Sequence, residues 1–245
     1  MAVPETAPLA GRDPDPAPVR WGMGDALAGS VLAVVVSTLV AGVVLATSGR
    51  EDFGDLSLEA TALLTLPLWA FLLGAPLWAS YLKGRRSLAA DFGLHMRWTD
   101  VPLGLAAGLV GQFALLILLG LLYRLLGVDL DQVGETAEEL TGEASGAFGV
   151  ALLVLMVAVI APLLEELFYR GLWLRAIERR FGRVVAVVGS SVLFGAAHLQ
   201  PFDFPALAGF GAIAAVLTVR TGRLGPALWA HVAFNLTAVI SLLVA

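Results

Sequence analysis

The sequence predicts an all-α fold, a polytopic integral membrane helix bundle with about seven membrane segments. Composition is the first indication: hydrophobic residues make up 58% of the 245-residue chain and charged residues only 14%. Soluble domains average about 45–50% and about 25%. The second indication is that the apolar residues form long uncharged runs, separated by short stretches that hold the charges. The third is that basic and acidic stretches alternate along the chain, as they do when loops lie on opposite sides of a bilayer.

Four uncharged runs are long enough to cross a bilayer, because a helix needs about 20 apolar residues to span the hydrocarbon layer. They are 21 to 23 residues long and cover 26–47, 60–82, 101–123 and 144–164. Three further segments follow, at 184–197, 204–219 and 224–245. The first two of these are predicted to be short or partly re-entrant helices, and the last is a span that contains His231.

The same pattern divides the chain into four parts. Residues 1–23 contain five prolines and three acidic residues, which predicts a disordered tail. The N-terminal membrane helices occupy 24–126, an acidic outer loop with a short surface helix occupies 127–143, and the remaining membrane helices occupy 144–245. The absence of cysteine excludes disulfides and thiolate metal sites. Membrane lipids are the expected surroundings, and no basic pattern typical of nucleic-acid binding is present.

Basic residues predict the orientation, since loops on the cytoplasmic side are enriched in Lys and Arg. With the N-terminus in the cytoplasm, 13 of the 15 Lys and Arg residues lie inside. Only Arg50 and Arg124 lie outside, where the loops are acidic. We therefore expect a multi-pass plasma-membrane protein with a cytoplasmic N-terminus.

Two adjacent carboxylates, Glu165 and Glu166, directly follow the fourth uncharged run. Ionisable groups inside a membrane are costly and are by default functional. Glu166 and Arg170 are spaced i and i+4 with the acid first, which favours a structural ion pair. Glu165 has no such partner on its own helix face, so it is the stronger candidate for chemistry.

Distances along the helices predict which groups meet Glu165. The fourth helix continues to about residue 180 and turns at Phe181-Gly182-Arg183, and Glu165 and His198 are equally far from that turn, about 25 Å along their helices. His231 and Asn235 lie about 9 and 15 Å into the last helix, on one face of it. These four groups are expected at a common depth near the cytoplasmic side. A separation of Glu165 and His198 larger than a helix diameter would contradict this geometry.

Simpler explanations exist for single residues. His198 or His231 alone would serve as an interhelical hydrogen-bond partner, and Asn235 alone would hold helices together. Phe194, four residues before His198, is expected to pack against its ring. His95, in the charged loop after the second span, receives no role.

Three short patterns together resemble the signature motifs of a known family. Glu165-Glu166-x-x-x-Arg170, Phe194-x-x-x-His198 and His231-x-x-x-Asn235 are similar to those of the CAAX protease and bacteriocin-processing family of intramembrane glutamic endopeptidases, which includes the type II CAAX prenyl endopeptidases. The Asp-Phe-Gly-Leu at 91–94 also resembles a feature of many members.

The resemblance implies helices bundled around a cavity open to the cytosol, and a hydrolase that cleaves a peptide or membrane-protein substrate. It implies that Glu165 and His198 activate a water molecule while His231 and Asn235 hold the oxyanion. Glu166, Arg170 and Phe194 would support these four. No cofactor is expected, so the activity would be independent of metal.

Three other functions stay compatible with the sequence. Glu165, His198 and His231 would also suit a catalytic zinc ion with one open position. A bacteriocin-immunity or scaffold protein would need no chemistry from these residues. A transporter or proton relay would place its carboxylates along a path to both faces, whereas here the polar groups cluster toward one side.

Overall fold

The computed structural model of the protein describes residues 18–48, 56–128 and 132–244. All regular secondary structure in these ranges is helical. Six helices in them are long and apolar enough to cross a membrane: Met23–Ser48, Leu58–Lys83, Asp100–Leu126, Gly146–Ala197, Phe204–Thr221 and Gly225–Val244. The predicted all-α polytopic bundle is therefore confirmed.

In the first half of the chain, the described residues form five helices. They are α1 (Met23–Ser48), α2 (Leu58–Lys83), α3 (Leu88–Phe92), α4 (Asp100–Leu126) and α5 (Glu135–Gly142). The short helix α5 carries Glu135, Glu138 and Glu139 of the acidic loop, where a short surface helix was predicted. The short helix α3 contains Asp91 and Phe92 of the Asp-Phe-Gly-Leu segment and is capped by Gly93, which adopts a left-handed conformation.

The second half begins with a long helix that changes its winding several times. It comprises α6 (Gly146–Val154), a π-helical segment π1 (Leu155–Ile160), α7 (Ala161–Glu165), a second π-helical segment π2 (Glu166–Trp173) and α8 (Leu174–Ala197). The chain then continues through α9 (Phe204–Thr221) and α10 (Gly225–Val244).

A sharp break divides this long helix at the turn predicted from the sequence. Gly182 has φ 81° and ψ 175°, a region of backbone space that is essentially restricted to glycine. The residues before and after it therefore form two arms of a hairpin. The number of membrane segments depends on whether these two arms are counted as one helix or two.

The long helix lies at the centre of the bundle. π2 contacts α1, α2 and α3 on one side and α8 and α9 on the other, while π1 and α7 contact α10. Around this centre, α1 packs along α2, α4 packs along α10, and α8 packs along α9. Its side chains on π2, among them Phe168 and Leu172, are fully buried in the main hydrophobic core.

Helices α4 and α10 approach each other unusually closely because glycine replaces larger residues at their contact. A Cβ atom at Gly104 would lie 2.5 Å from the carbonyl oxygen of Pro226, and one at Gly108 would lie 2.1 Å from that of Ala230. Small residues four apart allow two membrane helices to pack backbone to backbone. This packing determines the position of the residue after Ala230, which is His231.

Four of the segments predicted to face the cytoplasm meet at one end of the bundle, which we call the basic end. Arg223 pairs with Asp100, Lys83 pairs with Asp25, and Arg175 donates to the carbonyl oxygen of Gly222 at 2.9 Å. This shared end is what the predicted topology requires.

The loop between α2 and α4 is anchored at the basic end by a buried acid. Asp91 accepts hydrogen bonds from Trp21 Nε1 at 3.2 Å, from Ser80 Oγ at 2.7 Å and from the backbone N–H of Arg85 at 2.9 Å. A carboxylate with three donors is well compensated for its burial. The Asp-Phe-Gly-Leu segment is thus a structural anchor between α2, α3 and the chain before α1.

The same contacts shorten the tail predicted for residues 1–23. Trp21 is buried, stacks on Phe92 with ring centroids 4.9 Å apart, and lies under the guanidinium of Arg179 at 3.7 Å. Trp21 therefore attaches the chain before α1 to the bundle, because a large aromatic ring is stabilised by burial against apolar and aromatic partners. Residues 1–17 lie outside the described residues, as do Arg50 and the acids at 51, 52, 55, 129 and 131.

Candidate active site

The two adjacent glutamates lie where the central helix changes its winding. Glu165 is the last residue of α7 and Glu166 is the first residue of π2. The sequence predicted a regular α-helix here. A π-helix, with hydrogen bonds from i to i+5, is rare and occurs mostly at functional sites. The wider turn changes the angle between successive side chains, so spacing along an ideal α-helix does not predict their directions here.

Glu166 is at the centre of a buried polar network. Its Oε1 atom accepts from Arg170 Nη1 at 2.8 Å and from His231 Nδ1 at 2.8 Å. Glu166 is 1% exposed and Arg170 is 0% exposed. The predicted ion pair is present, and the contact with His231 is an addition that the spacing on one helix did not indicate. Loss of either partner would leave a buried charge uncompensated, at a cost of about 3–5 kcal/mol.

The guanidinium of Arg170 is held from three sides. Besides Glu166, it donates from Nη2 to the carbonyl oxygen of Gly211 at 3.3 Å. Its Cζ atom lies 4.2 Å from the centroid of the Phe194 ring and 5.9 Å from that of Phe210. A cation over an aromatic face is stabilised by the ring quadrupole, and more strongly when desolvated. Arg170 therefore ties π2 to α8 and α9.

Glu165 has a different environment from its neighbour. Its side chain is 17% exposed, and its Oε2 atom lies 3.7 Å from Nε2 of His231. That separation is longer than a direct hydrogen bond, and Glu165 makes no direct hydrogen bond within the described residues. The residue that faces Glu165 is therefore His231 of α10, whereas its own helix supplies no partner. Of the two carboxylates, Glu165 is the one with access to a water molecule or substrate.

His231 lies between both glutamates. Because a carboxylate only accepts hydrogen bonds, Nδ1 of His231 carries a proton toward Glu166. Its Nε2 atom then faces Glu165 and the interior of the site. His231 is 3% exposed, and its ring packs on Phe210 with centroids 4.7 Å apart.

His198 lies at the end of α8, next to Phe194. The two rings are 4.8 Å apart, as the spacing predicted, and the Phe194 ring is also 5.6 Å from that of His231. The two histidines are therefore separated by no more than the sum of these ring distances. The Nδ1 atom of His198 bonds to the carbonyl oxygen of Phe194 at 2.8 Å. Since a carbonyl only accepts, Nδ1 is the protonated nitrogen and Nε2 of the neutral ring is unprotonated.

Asn235 is directed toward π1 rather than toward the histidines. Its Nδ2 atom donates to the carbonyl oxygen of Val157 at 2.8 Å. Ala161 donates its N–H to Met156 across a π-helical turn, and the next such donor would be Pro162, which has no N–H. Asn235 supplies the missing donor to Val157. Its second N–H remains available for other acceptors.

Three parts of this arrangement were not predicted from the sequence. Phe210 lies between Arg170 and His231, and the carbonyl of Gly211 accepts from Arg170. The sequence feature that could have indicated the first two is Gly-Phe-Gly at 209–211, since glycines in a membrane helix allow neighbouring helices to approach closely. The third part is the hydrogen bond from Asn235 to the Val157 carbonyl oxygen. Pro162 could have indicated it, because a proline inside a helix leaves one carbonyl without its backbone donor.

Two cavities lie beside the central helix, away from the glutamates. One of about 690 Å³ follows α6 and π1 and is lined by Gly146, Val150, Val154 and Val159, among others. The other, of about 350 Å³, lies between α2 and π1 and is lined by apolar residues and Glu59. Neither is lined by Glu165, His198 or His231.

The candidate residues do not form a ready set of metal ligands. In the part of the chain that is described, no group of three or more His, Cys, Asp or Glu is arranged to hold a metal ion. Glu165 and His231 face each other, and Nδ1 of each histidine bonds to an acceptor, as it also does in histidines that bind a metal through the other nitrogen.

Comparison with known families identifies the segment that carries this site. Residues 147–237 match the family described as "Type II CAAX prenyl endopeptidase Rce1-like". Over this segment the chain is similar to that family. All seven candidate residues lie within it, from Glu165 to Asn235. Comparison with curated proteins and with solved structures gives no significant match.

The Rce1-like match agrees with the resemblance seen in the three sequence motifs. Together with the six long apolar helices, it supports a multi-pass membrane protein with a segment similar to CAAX-type proteases. A protease acts on a peptide or protein, so a substrate of that class at the membrane follows. The matched segment includes π1, π2, α8, α9 and most of α10, which are the elements that build the site.

Proposed function

We propose that this protein is an intramembrane endopeptidase that hydrolyses a peptide bond of a membrane-associated protein or peptide without a metal ion. The observation that carries the proposal is the contrast between the two adjacent glutamates. Glu166 is sealed and occupied by Arg170 and His231, whereas Glu165 is partly accessible and faces Nε2 of His231. One carboxylate is thus built into the scaffold and the other is free for chemistry.

In this mechanism Glu165 and His198 activate a water molecule. Water is a poor nucleophile, and a carboxylate within hydrogen-bond reach can take its proton as it attacks. His198 adds an unprotonated Nε2, since its Nδ1 proton is held by Phe194. As the water oxygen attacks the carbonyl carbon, its proton passes to this pair. The same proton goes to the amine nitrogen when the C–N bond breaks.

His231 and Asn235 stabilise the oxyanion that forms on the carbonyl oxygen. Asn235 offers its second N–H. His231 would donate from Nε2, the nitrogen that faces Glu165, when both of its ring nitrogens carry protons. Donors oriented before the reaction are worth about 100- to 1000-fold in rate each. Glu166 and Arg170 keep His231 in place for this task.

The location of the site relative to the bilayer is part of the proposal. The segments rich in Lys and Arg meet at the basic end, and basic residues are enriched on the cytoplasmic side. We propose that this end faces the cytoplasm of a plasma-membrane protein and that substrates approach from there. The chain has no cysteine, so single cysteines at the exposed positions of Trp98 and Leu125 would report sidedness by labelling with an impermeant reagent.

The decisive experiment is cleavage of a quenched-fluorescence peptide library by the purified protein. Wild type is compared with Glu165→Gln and His198→Ala, and with Glu178→Gln as a matched control for a glutamate at the surface of the hairpin. We expect turnover that persists in chelator, falls about 100- to 10,000-fold in the first two variants, and is unchanged in the control.

Other results would point elsewhere. Turnover that chelator abolishes and zinc restores would replace the metal-free mechanism by a zinc-dependent one. Equal turnover by wild type and Glu165→Gln would refute the role of Glu165. A scaffold or immunity function would be indicated if Glu165→Ala complemented a deletion fully in cells.

A further inference from the structure

The connection between α8 and α9 determines how His198 is oriented. In a continuing α-helix, the backbone N–H of His198 would bond to the carbonyl oxygen of Phe194, four residues earlier. Here it bonds to Gly195 at 3.3 Å, and the N–H of Leu199 bonds to Ala196 at 3.2 Å. In this tighter last turn the backbone N–H of His198 does not bond to the Phe194 carbonyl oxygen. The imidazole of His198 takes its place.

The tight turn depends on an unfavourable backbone conformation. Leu199 has φ 57°, in the left-handed region that side chains other than those of Gly, Asn and Asp rarely adopt. It is also 83% exposed, so its own side chain gains little from packing here. Such a conformation persists only where the surrounding structure holds it. Pro201 contributes by disfavouring a helical conformation of Gln200, so that α8 does not continue past this point.

Two hydrogen bonds from distant segments hold the connection in this path. Tyr123 Oη, near the end of α4, donates to the carbonyl oxygen of Phe202 at 2.7 Å. Gly134 N, just before α5, donates to Oδ1 of Asp203 at 3.0 Å. Tyr123 is buried and Asp203 is partly buried. Buried polar groups need a hydrogen-bond partner, so both bonds are costly to lose. Both contacts lie at the end of the bundle opposite to the basic end.

We propose that Tyr123 and Asp203 are positioning residues for His198. They hold residues 199–203 so that α8 ends at Ala197, the Phe194 carbonyl accepts the Nδ1 proton, and unprotonated Nε2 is presented to the site. Neither residue touches the reacting atoms. The kinetic part of this inference rests on the proposed function, in which His198 helps to activate water, but the orientation of the ring does not depend on it.

The orientation can be measured directly because the chain contains three histidines. In protein labelled with ¹⁵N-histidine, the ring nitrogens of His198, assigned with His198→Gln, report which nitrogen carries the proton. We expect the Nδ1-protonated form in wild type, and its loss in the double variant Tyr123→Phe/Asp203→Ala. Asp203→Asn keeps an oxygen acceptor for Gly134 and is expected to keep the wild-type signal.

Kinetics on a cleaved peptide supply the second readout. Two lost hydrogen bonds correspond to roughly a tenfold to hundredfold shift in the population of the docked connection. We therefore expect kcat of the double variant to fall by about that factor while KM stays the same, because substrate contacts are unchanged. The matched control is Tyr81→Phe. Tyr81 is an exposed tyrosine in the last turn of α2.

The outcomes separate this inference from the proposed function. An unchanged His198 spectrum in the double variant overturns it, whatever the activity. Loss of the Nδ1-protonated form supports it even if no peptide is cleaved, in which case the proposed function fails by itself. A double variant that cleaves peptide as fast as Tyr81→Phe overturns the kinetic part.

Discussion

Replacing Gly108 by alanine places a methyl group where α4 and α10 touch. The added Cβ atom would lie 2.1 Å from the carbonyl oxygen of Ala230 and 2.9 Å from its Cα atom. Carbon and oxygen atoms in contact are normally about 3.3–3.6 Å apart. The obstacle is backbone, which cannot rotate away as a side chain can. The two helices must therefore separate locally by about 1 Å or more.

Because His231 directly follows Ala230, the displacement also shifts His231 in the candidate site. Its hydrogen bond to Glu166 is 2.8 Å long and its separation from Glu165 is 3.7 Å, so a shift of that size disturbs both. A misplacement of about 1 Å in a catalytic group costs about 100-fold in rate. We expect Gly108→Ala to lower kcat/KM by about that factor and to destabilise the protein by about 1–3 kcal/mol through overpacking.

The same helix provides the control. A Cβ atom at Gly120, also on α4, would have nothing within 4 Å, and alanine favours helix over glycine by about 1 kcal/mol. Gly120→Ala should therefore retain full activity and stability. Peptide hydrolysis and thermal unfolding in the same detergent measure both quantities. Gly108→Ala with the activity of Gly120→Ala would refute the argument that this helix contact places His231.

Three further predictions concern the ion pair, the hairpin and one acid. Glu166→Gln leaves a buried guanidinium without its carboxylate and should lower the free energy of unfolding by about 3–5 kcal/mol. Glu178→Gln breaks the exposed ion pair with Arg183 and should lower it by about 1 kcal/mol or less. Equal losses in the two variants would contradict the role of burial. Gly182→Ala forces a side chain into a glycine-only conformation and should cost about 1–3 kcal/mol, whereas Gly42→Ala, in open space on α1, should cost nothing. Burial raises the pKa of Asp203 above its ordinary value of 3.8, against the opposing effect of the Gly134 N–H. The folded state then binds more protons than the unfolded state, so stability declines as pH rises from 3.8 through the raised pKa. Asp203→Asn should flatten that part of the stability profile, and an unchanged slope would show that another group is responsible.

Much of the fold could be predicted because membrane helices are constrained by their solvent. The uncharged runs ending at Thr47, Leu82, Tyr123 and Leu164 each coincide with a helix of the structure. The turn at Gly182 was predictable because the charged, glycine-containing stretch interrupts two apolar ones. The packing of Trp21 was not, since a single indole ring in a proline-rich segment gives no periodic signal.

The candidate site could be predicted as a set of residues but not as a geometry. Equal distances from the Phe181-Gly182 turn predict that Glu165 and His198 lie level with each other, and the spacing of Glu166 and Arg170 predicted the ion pair that the structure contains. The contact between Glu166 and His231 could not be foreseen, because it depends on the winding of π2 and on the glycines that bring α10 close to α4. The direction of Asn235 depends likewise on a carbonyl that a proline leaves free.

Composition, uncharged runs and charge asymmetry established that this chain is a helical membrane protein, and three short motifs indicated its family. These properties are local: they follow from the cost of placing charged and unpaired polar groups in hydrocarbon. The environments of the two glutamates are not local. The two residues are adjacent and of the same type, and what separates them is that Arg170 and His231 of α10 bond to buried Glu166 and leave Glu165 partly open. Side-chain partners across helices depend on crossing angles and winding, which are set by packing over the whole bundle.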